Sequence, residues 1–185
     1  AVQELFATLA AVTMSEESEF TADENGVYHL VAGNVRSGIL WLSEQLESGT
    51  LSGPQTIDMD GASFSLGADN PIEIPSGLSL TLRNTYVSRK EGYKNPVFSV
   101  KDGAFLTIEN GAVTDNAAAA AQTPLVATKG TGTFTLGEGA SADIVAKNAG
   151  GYYSTLAAAV TAGDGETVVL LENVTECVTI ESGKN

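Results

Sequence analysis

The sequence predicts a mainly β fold, a solenoid of stacked coils, and three observations carry that expectation. A glycine-led short strand closing in an Asn- or Gly-containing turn is written three times: Gly77-Leu-Ser-Leu-Thr-Leu-Arg-Asn84, Gly103-Ala-Phe-Leu-Thr-Ile-Glu-Asn110-Gly111 and Gly132-Thr-Phe-Thr-Leu-Gly137-Glu-Gly139. The starts lie 26 and then 29 residues apart, a period that stacked β-coils impose on sequence. The strands are short, and Gly, Asn, Asp and Pro punctuate them because turns need residues that tolerate positive φ or fix it in advance. At about 25 residues per coil, the chain has room for roughly five to seven coils with attached helices.

The first third reads differently. Val2, Leu5, Phe6, Leu9 and Val12 recur at helical spacing, an acidic break follows at Ser15-Glu-Glu-Ser-Glu19, and Gly26-Val-Tyr-His-Leu-Val31 alternates as a strand. A second helical pattern runs from about Gly38 to Glu47 with Ile39, Leu40, Leu42 and Leu46 on one side. The open end of a solenoid exposes unpaired strand edges, so these two helices are expected to cap it. From about Thr50 the chain becomes strand and turn: 55–60, 63–66, 72–74, 78–82, 97–100, 105–108 and 133–136. Alternation turns Leu78, Leu80 and Leu82, and likewise Phe134 and Leu136, toward a narrow core, and leaves Ser, Thr, Arg and Glu outside. The tract Ala117 to Ala121 reads as a short helix or a surface loop. A helix is predicted over Tyr152–Ala162, stopped by Gly163-Asp-Gly165 before a strand at Thr167–Leu171.

Charge narrows the partners. With 23 acidic against 9 basic residues the net charge is −14, which argues against a phosphate backbone or an anionic membrane surface, both of which need clustered Lys and Arg. The 43% hydrophobic content describes an ordered chain, and no stretch approaches the ~20 apolar residues of a membrane span. The apolar opening Ala1–Val12 lacks the basic start of an export signal. The single Cys177, in the run Val174–Ile180, cannot form an internal disulfide and reads as a small buried hydrophobe.

Three segments carry a resemblance: Tyr153-Ser-Thr-Leu-Ala-Ala-Ala-Val, then Ala162-Gly-Asp-Gly-Glu-Thr-Val-Val-Leu-Leu-Glu-Asn-Val-Thr, then Val178-Thr-Ile-Glu-Ser-Gly-Lys-Asn. Together they resemble a module of large surface proteins of Gram-positive gut bacteria, which are similar in fold to the pectate-lyase-like, right-handed parallel β-helix superfamily. The stretch from Gly103 to Asn116 is similar to coils of the same proteins, and the likeness covers roughly residues 50 to 185. An earlier copy is suggested at Ser37 to Ser65, where helix, Gly-turn and strand recur in that order. The resemblance implies a right-handed parallel β-helix with an N-terminal helical cap and one helix near the C-terminus, in an extracellular or cell-wall attached protein. In those proteins the module continues into a further strand, so the chain reads as a fragment. The organisation expected is 1–50, helical cap and first strand; 51–150, β-helix coils; and 151–185, helix plus strands of a further module.

Enzymes on such folds work through paired carboxylates or through Ca²⁺ carboxylates with an Arg or Lys base, and no catalytic set of either kind stands out. Asp58 and Asp60 lie two residues apart on one strand face, which could bind Ca²⁺, but with no downstream Glu to complete a calcium loop they read first as a solvated turn entry. Arg83 beside Asn84 reads as a lyase base or a turn residue. His29 is the only histidine, so a triad or His-based metal site would need partners from elsewhere. The glycine-rich 130–132 and 163–165 lack a phosphate-loop Lys and read as turns. Thr131, Thr133 and Thr135 make an outward hydroxyl row, of a kind that orders water only when successive coils repeat it. Tyr86 and Tyr93, with Tyr152 and Tyr153, offer ring faces to sugars or close loops. The function expected is a non-enzymatic adhesin-like or structural stalk module displaying loops to glycan or to a host or bacterial surface protein. A carbohydrate-active lyase or hydrolase and a self-association module pairing through solenoid edges are the alternatives.

Overall fold

The computed structural model describes residues 20–31, 35–66, 71–117, 122–163 and 166–180, with the side chains of its first helix from Leu42 onward. Its centre is a parallel β-solenoid of about four turns. Each coil visits three ladders. The first two share a sheet: β3 (Pro54–Leu66) and β5 (Ser79–Arg89) run through both, and later coils divide the path into β7 (Phe105–Glu109) with β8 (Ala112–Asp115), then β10 (Thr133–Leu136) with β11 (Ser141–Ala142). Residues 54–58, 79–83, β7 and β10 form face 1; residues 62–66, 85–89, β8 and β11 form face 2. Face 3 is the parallel ladder of β4 (Ile72–Ile74), β6 (Phe98–Val100) and β9 (Val126–Thr128).

The recurring Asn and Gly make the corner between faces 1 and 2. Asp60, Asn84, Asn110 and Gly139 all sit at positive φ, between 46° and 66°. Asp and Asn tolerate this region because their short polar side chains bond locally. The Asn84 amide donates to both oxygens of Asp58 one coil back, at 3.0 and 2.9 Å, and the Asn110 N–H donates to the Glu138 carbonyl at 2.8 Å. Gly111 follows Asn110 because a Cβ there would lie 2.1 Å from the Thr85 carbonyl oxygen. The corner from face 3 to face 1 is constant in length: four residues each at 75–78, 101–104 and 129–132. The number of residues between the face 2 and face 3 strands varies: five between Leu66 and Ile72, eight between Arg89 and Phe98, and ten between Asp115 and Val126.

Alternation on face 1 stacks Leu80, Leu106 and Phe134 in one inward column and Ile57, Leu82, Ile108 and Leu136 in the next. All are buried except Leu136, which packs against the same core from a partly exposed position, and Leu78 is buried beside them, as predicted. Outside, Thr56, Thr81, Thr107 and Thr135 align rung on rung, so the hydroxyl row read at Thr135 does repeat, in one column only. The neighbouring column carries Pro54, Ser79 and the half-exposed Phe105 before Thr133.

At the N-terminal end β1 (Phe20–Ala22) pairs antiparallel with β2 (Tyr28–Leu30), which continues the sheet parallel to β3. Helix α1 (Val35–Ser48) packs on β3 and β4 through the buried Leu42 and Leu46, which is the predicted cap. The other helix predicted for this cap, 1–12, and the acidic break at 15–19 lie outside the described residues, as do residues 118–121 of the alanine tract.

The C-terminal end departs from the repeat. Face 3 continues not with a parallel strand but with β13 (Gly151–Tyr153), antiparallel to β9, then β12 (Ala146–Asn148) and β14 (Val169–Leu170), each antiparallel to its neighbour. The helix predicted to start at Tyr152 is the shorter α2 (Leu156–Ala162). Thr155 caps it, its Oγ1 accepting from the Ala158 N–H at 3.2 Å, and the Glu176 carboxylate accepts from the Leu156 and Ala157 N–H groups. Tyr152 and Tyr153 belong instead to β13, where bulky aromatics suit a pleated surface. The antiparallel end and the N-terminal elements take up length that uniform coils would have used, so four turns stand where five to seven were expected. The run 174–180 forms no strand, and Cys177 is exposed rather than buried; among the described residues no strand pairs with this run.

Candidate functional site

Face 2 carries the most site-like surface. Its inward positions include Ala62, Thr85, Val87 and Val113, with Arg89 and Asp115 at the far end, and the outward positions differ from coil to coil. Tyr86 points out, 47% exposed, and its register neighbours on the adjoining rungs are Ser63 and Ala112. Small side chains on both sides leave the ring face uncovered. Two positions along, Ser65, Ser88 and Thr114 form a second outward column, and the Ser65 and Ser88 hydroxyls are hydrogen-bonded to each other. These residues, with Asn116 at one end, line an open groove of about 430 Å³. Tyr93 does not line it; its ring instead sits under the Lys90 ammonium at 5.8 Å.

Several of the ionisable residues are engaged with one another across coils. Arg83 donates through Nε and Nη2 to Glu109 Oε2 at 3.1 and 3.0 Å, one rung along. Asp58, 13% exposed, accepts from the Asp60 N–H and from Asn84, while His29 Nδ1 stands 3.9 Å from it. His29 Nε2 also meets Asp23 at 3.3 Å, so the only histidine is held within the first hairpin. Asp60 is exposed at the corner. Among the described residues, no three His, Cys, Asp or Glu side chains converge as a metal site.

Sequence reasoning missed the buried network at the far end of face 2. Arg89, with a side chain 1% exposed, donates through Nε and Nη2 to the Asp115 carboxylate, and through Nη1 to the carbonyls of Thr123 and Pro124 and the Thr123 hydroxyl. Asp115 also accepts from the Ser154 hydroxyl and the Ala117 N–H, and its own N–H donates to Asp143. Burial pushes the Asp115 carboxyl up, but the Arg89 and Ser154 hydrogen bonds, the Arg89 charge and the Ala117 N–H outweigh it, leaving the pKa below the usual carboxylate value. The only signal for this pair in the sequence is their separation of one coil.

A second groove, about 470 Å³, lies at the C-terminal end of face 1, lined among others by Phe134, Leu136, Ile144, Tyr152 and Leu171. Phe134 and Tyr152 meet edge to face there, at 5.3 Å. The β10 edge above it has no further strand among the described residues. No described helix is long and apolar enough to cross a membrane. Set against family models, curated proteins and solved structures, the chain matches none.

Proposed function

We propose that this chain is a non-enzymatic recognition module, an adhesin-like β-solenoid stalk that binds a glycan on face 2. The observation that carries the reading is Tyr86: an exposed ring, flanked in register by Ser63 and Ala112, standing in a groove of hydroxyls. An uncovered aromatic face accepts the C–H surface of a sugar ring, and hydroxyls beside it fix orientation. The extracellular or cell-wall location follows from the resemblance to Gram-positive surface modules and pectate-lyase-like β-helices. The test is a glycan array with the intact chain and its Tyr86→Ala variant, each with Ca²⁺ and with chelator. Selective binding that the variant loses supports the reading. Binding that needs Ca²⁺ brings in Asp58 and Asp60, turnover of a bound polysaccharide favours a lyase or hydrolase, and silence favours a host or bacterial protein as the partner.

A second reading, self-association, is favoured by β10. Its Thr-Phe-Thr-Leu sequence has no charge and no proline, the usual guards of a free strand edge, and an apolar groove lies beside it. Mass by light scattering that rises with concentration, and falls back in Thr135→Lys, is the outcome expected of that reading.

A further inference from the structure

We infer that the Tyr86 groove selects uncharged sugar units and excludes uronic, sialylated and sulfated ones; this rests on the reading of face 2 as a glycan site. No charged side chain lines the groove. The two guanidinium groups nearest in sequence are both committed, Arg83 outward to Glu109 and Arg89 inward to Asp115, and Lys90 is stationed at Tyr93. A carboxylate or sulfate ester entering the groove would therefore give up its hydration without gaining a cationic partner, an expensive exchange.

The nearest outward charge on this face has the wrong sign for an anion. Continuing the pairing of Ser141 with Ala112 and Ala142 with Val113 brings Asp143 opposite Thr114, one rung beyond the Ser65, Ser88 and Thr114 column. Asp143 is exposed, and the chain as a whole carries −14. The hydroxyl column itself suits a neutral sugar. Each hydroxyl has one proton and two acceptor lone pairs, and the Ser65–Ser88 bond spends one of the two protons while leaving three lone pairs. The row is thus rich in acceptors, which match the O–H donors of an uncharged pyranose and offer little to an anion. Rungs spaced about 4.8 Å apart present one such group per coil.

The probes are neutral oligosaccharides of gluco-, galacto- and manno-configuration against oligogalacturonate and sialyllactose, titrated onto the whole chain by calorimetry with Ca²⁺ or chelator. The expected result is binding of one or more neutral sets and none of the charged ones. Tyr86→Ala should weaken that binding more than about tenfold, as loss of a central aromatic anchor does, while Tyr86→Phe keeps it within a few-fold. Asp143→Asn, which retains the oxygen that accepts from the Asp115 N–H and adds no cation, should leave the anionic oligosaccharides unbound, and their binding to it would overturn the argument from the missing cationic partner. Thermal unfolding of each variant checks the fold, and an exposed position such as Tyr86 is expected to shift stability little. Anionic oligosaccharides that bind through Tyr86 as tightly as neutral ones overturn the selectivity and leave the glycan reading standing. No binding by any probe, or neutral binding indifferent to Tyr86→Ala, overturns both.

Discussion

The two ends of the solenoid are closed by different physics. At the N-terminal end Phe20, Leu30, Leu42 and Leu46 join the same apolar core that runs through the coils, so cap and coils form one cluster. At the C-terminal end Ala146, Tyr153, Ala158 and Ala159 make a small cluster of their own. Tyr152 packs from that end against Phe134 and the main core, and beside this apolar contact the tie to the coils is polar: Arg89 and Asp115 on face 2, Ser154 after β13, and the Leu125 N–H donating to the Tyr152 carbonyl at 2.7 Å. Apolar burial is insensitive to pH, whereas a charged clamp is not. One end should therefore share the stability of the whole and the other should have a release condition of its own.

The largest effect is expected from Arg89→Ala. Removing one partner of a buried pair strands the other charge, and about 3–5 kcal/mol should be lost. Hydrogen exchange would show whether protection falls first at β13 and α2, as the comparison requires, or everywhere at once. Leu42→Ala should cost about 2–5 kcal/mol by leaving a cavity, and here the loss should be global, moving the denaturant midpoint without a separate early phase. An early local opening at α1 would break the contrast between the ends.

Acid sharpens it. The folded-state pKa of Asp115 is depressed, so its contribution is full above the unfolded carboxylate value of about 3.9 and is lost as pH falls through the lowered folded value. Protection of the C-terminal end should drop as pH is taken below about 4, and in Asp115→Asn that step should be absent from the pH profile. Thr155→Ala removes the cap of α2 and should cost about 1 kcal/mol, read as faster exchange confined to α2. The smallest change is expected at Thr85, fully buried on face 2 with an Oγ1 that has no hydrogen-bond partner. Thr85→Val keeps the shape and removes that unpaired group, so it should stabilise by up to about 1 kcal/mol in thermal unfolding.

The repeat was legible because its rules are local. A strand of alternating Leu and Thr ending at an Asn or Gly declares its own turn, and the 26-residue step from Gly77 to Gly103 returned the register of Ser79 with Phe105. Elements without local marks were harder. β1 has three residues, and β9 is the three-residue Val-Ala-Thr, which becomes a strand only because β6 lies beside it. The apolar period at Tyr152 fits helix or strand, and tertiary pairing with Val126 decided for strand. At the candidate site Tyr86 was visible as an aromatic, but its isolation depended on Ser63 and Ala112, 23 residues before it and 26 after, which only the register brings together. The pairing of Arg89 with Asp115 was hidden for the same reason, since an inward arginine contradicts the alternation rule until its partner is seen.

The unequal corners have a consequence for how such a chain tolerates change. Where face 3 turns into face 1 the coil always spends four residues, whereas the passage from face 2 to face 3 takes five, eight and ten. An insertion at the first corner would throw every later rung out of step, but at the second it lengthens a loop and leaves the phase of the stack untouched. Most of the variability in coil length is thus routed to one seam along the molecule, the corner between faces 1 and 2 varying by only a few residues. Segments grafted at Glu91–Asn95 should emerge on that seam as a row beside face 2, with the scaffold unaware of their length.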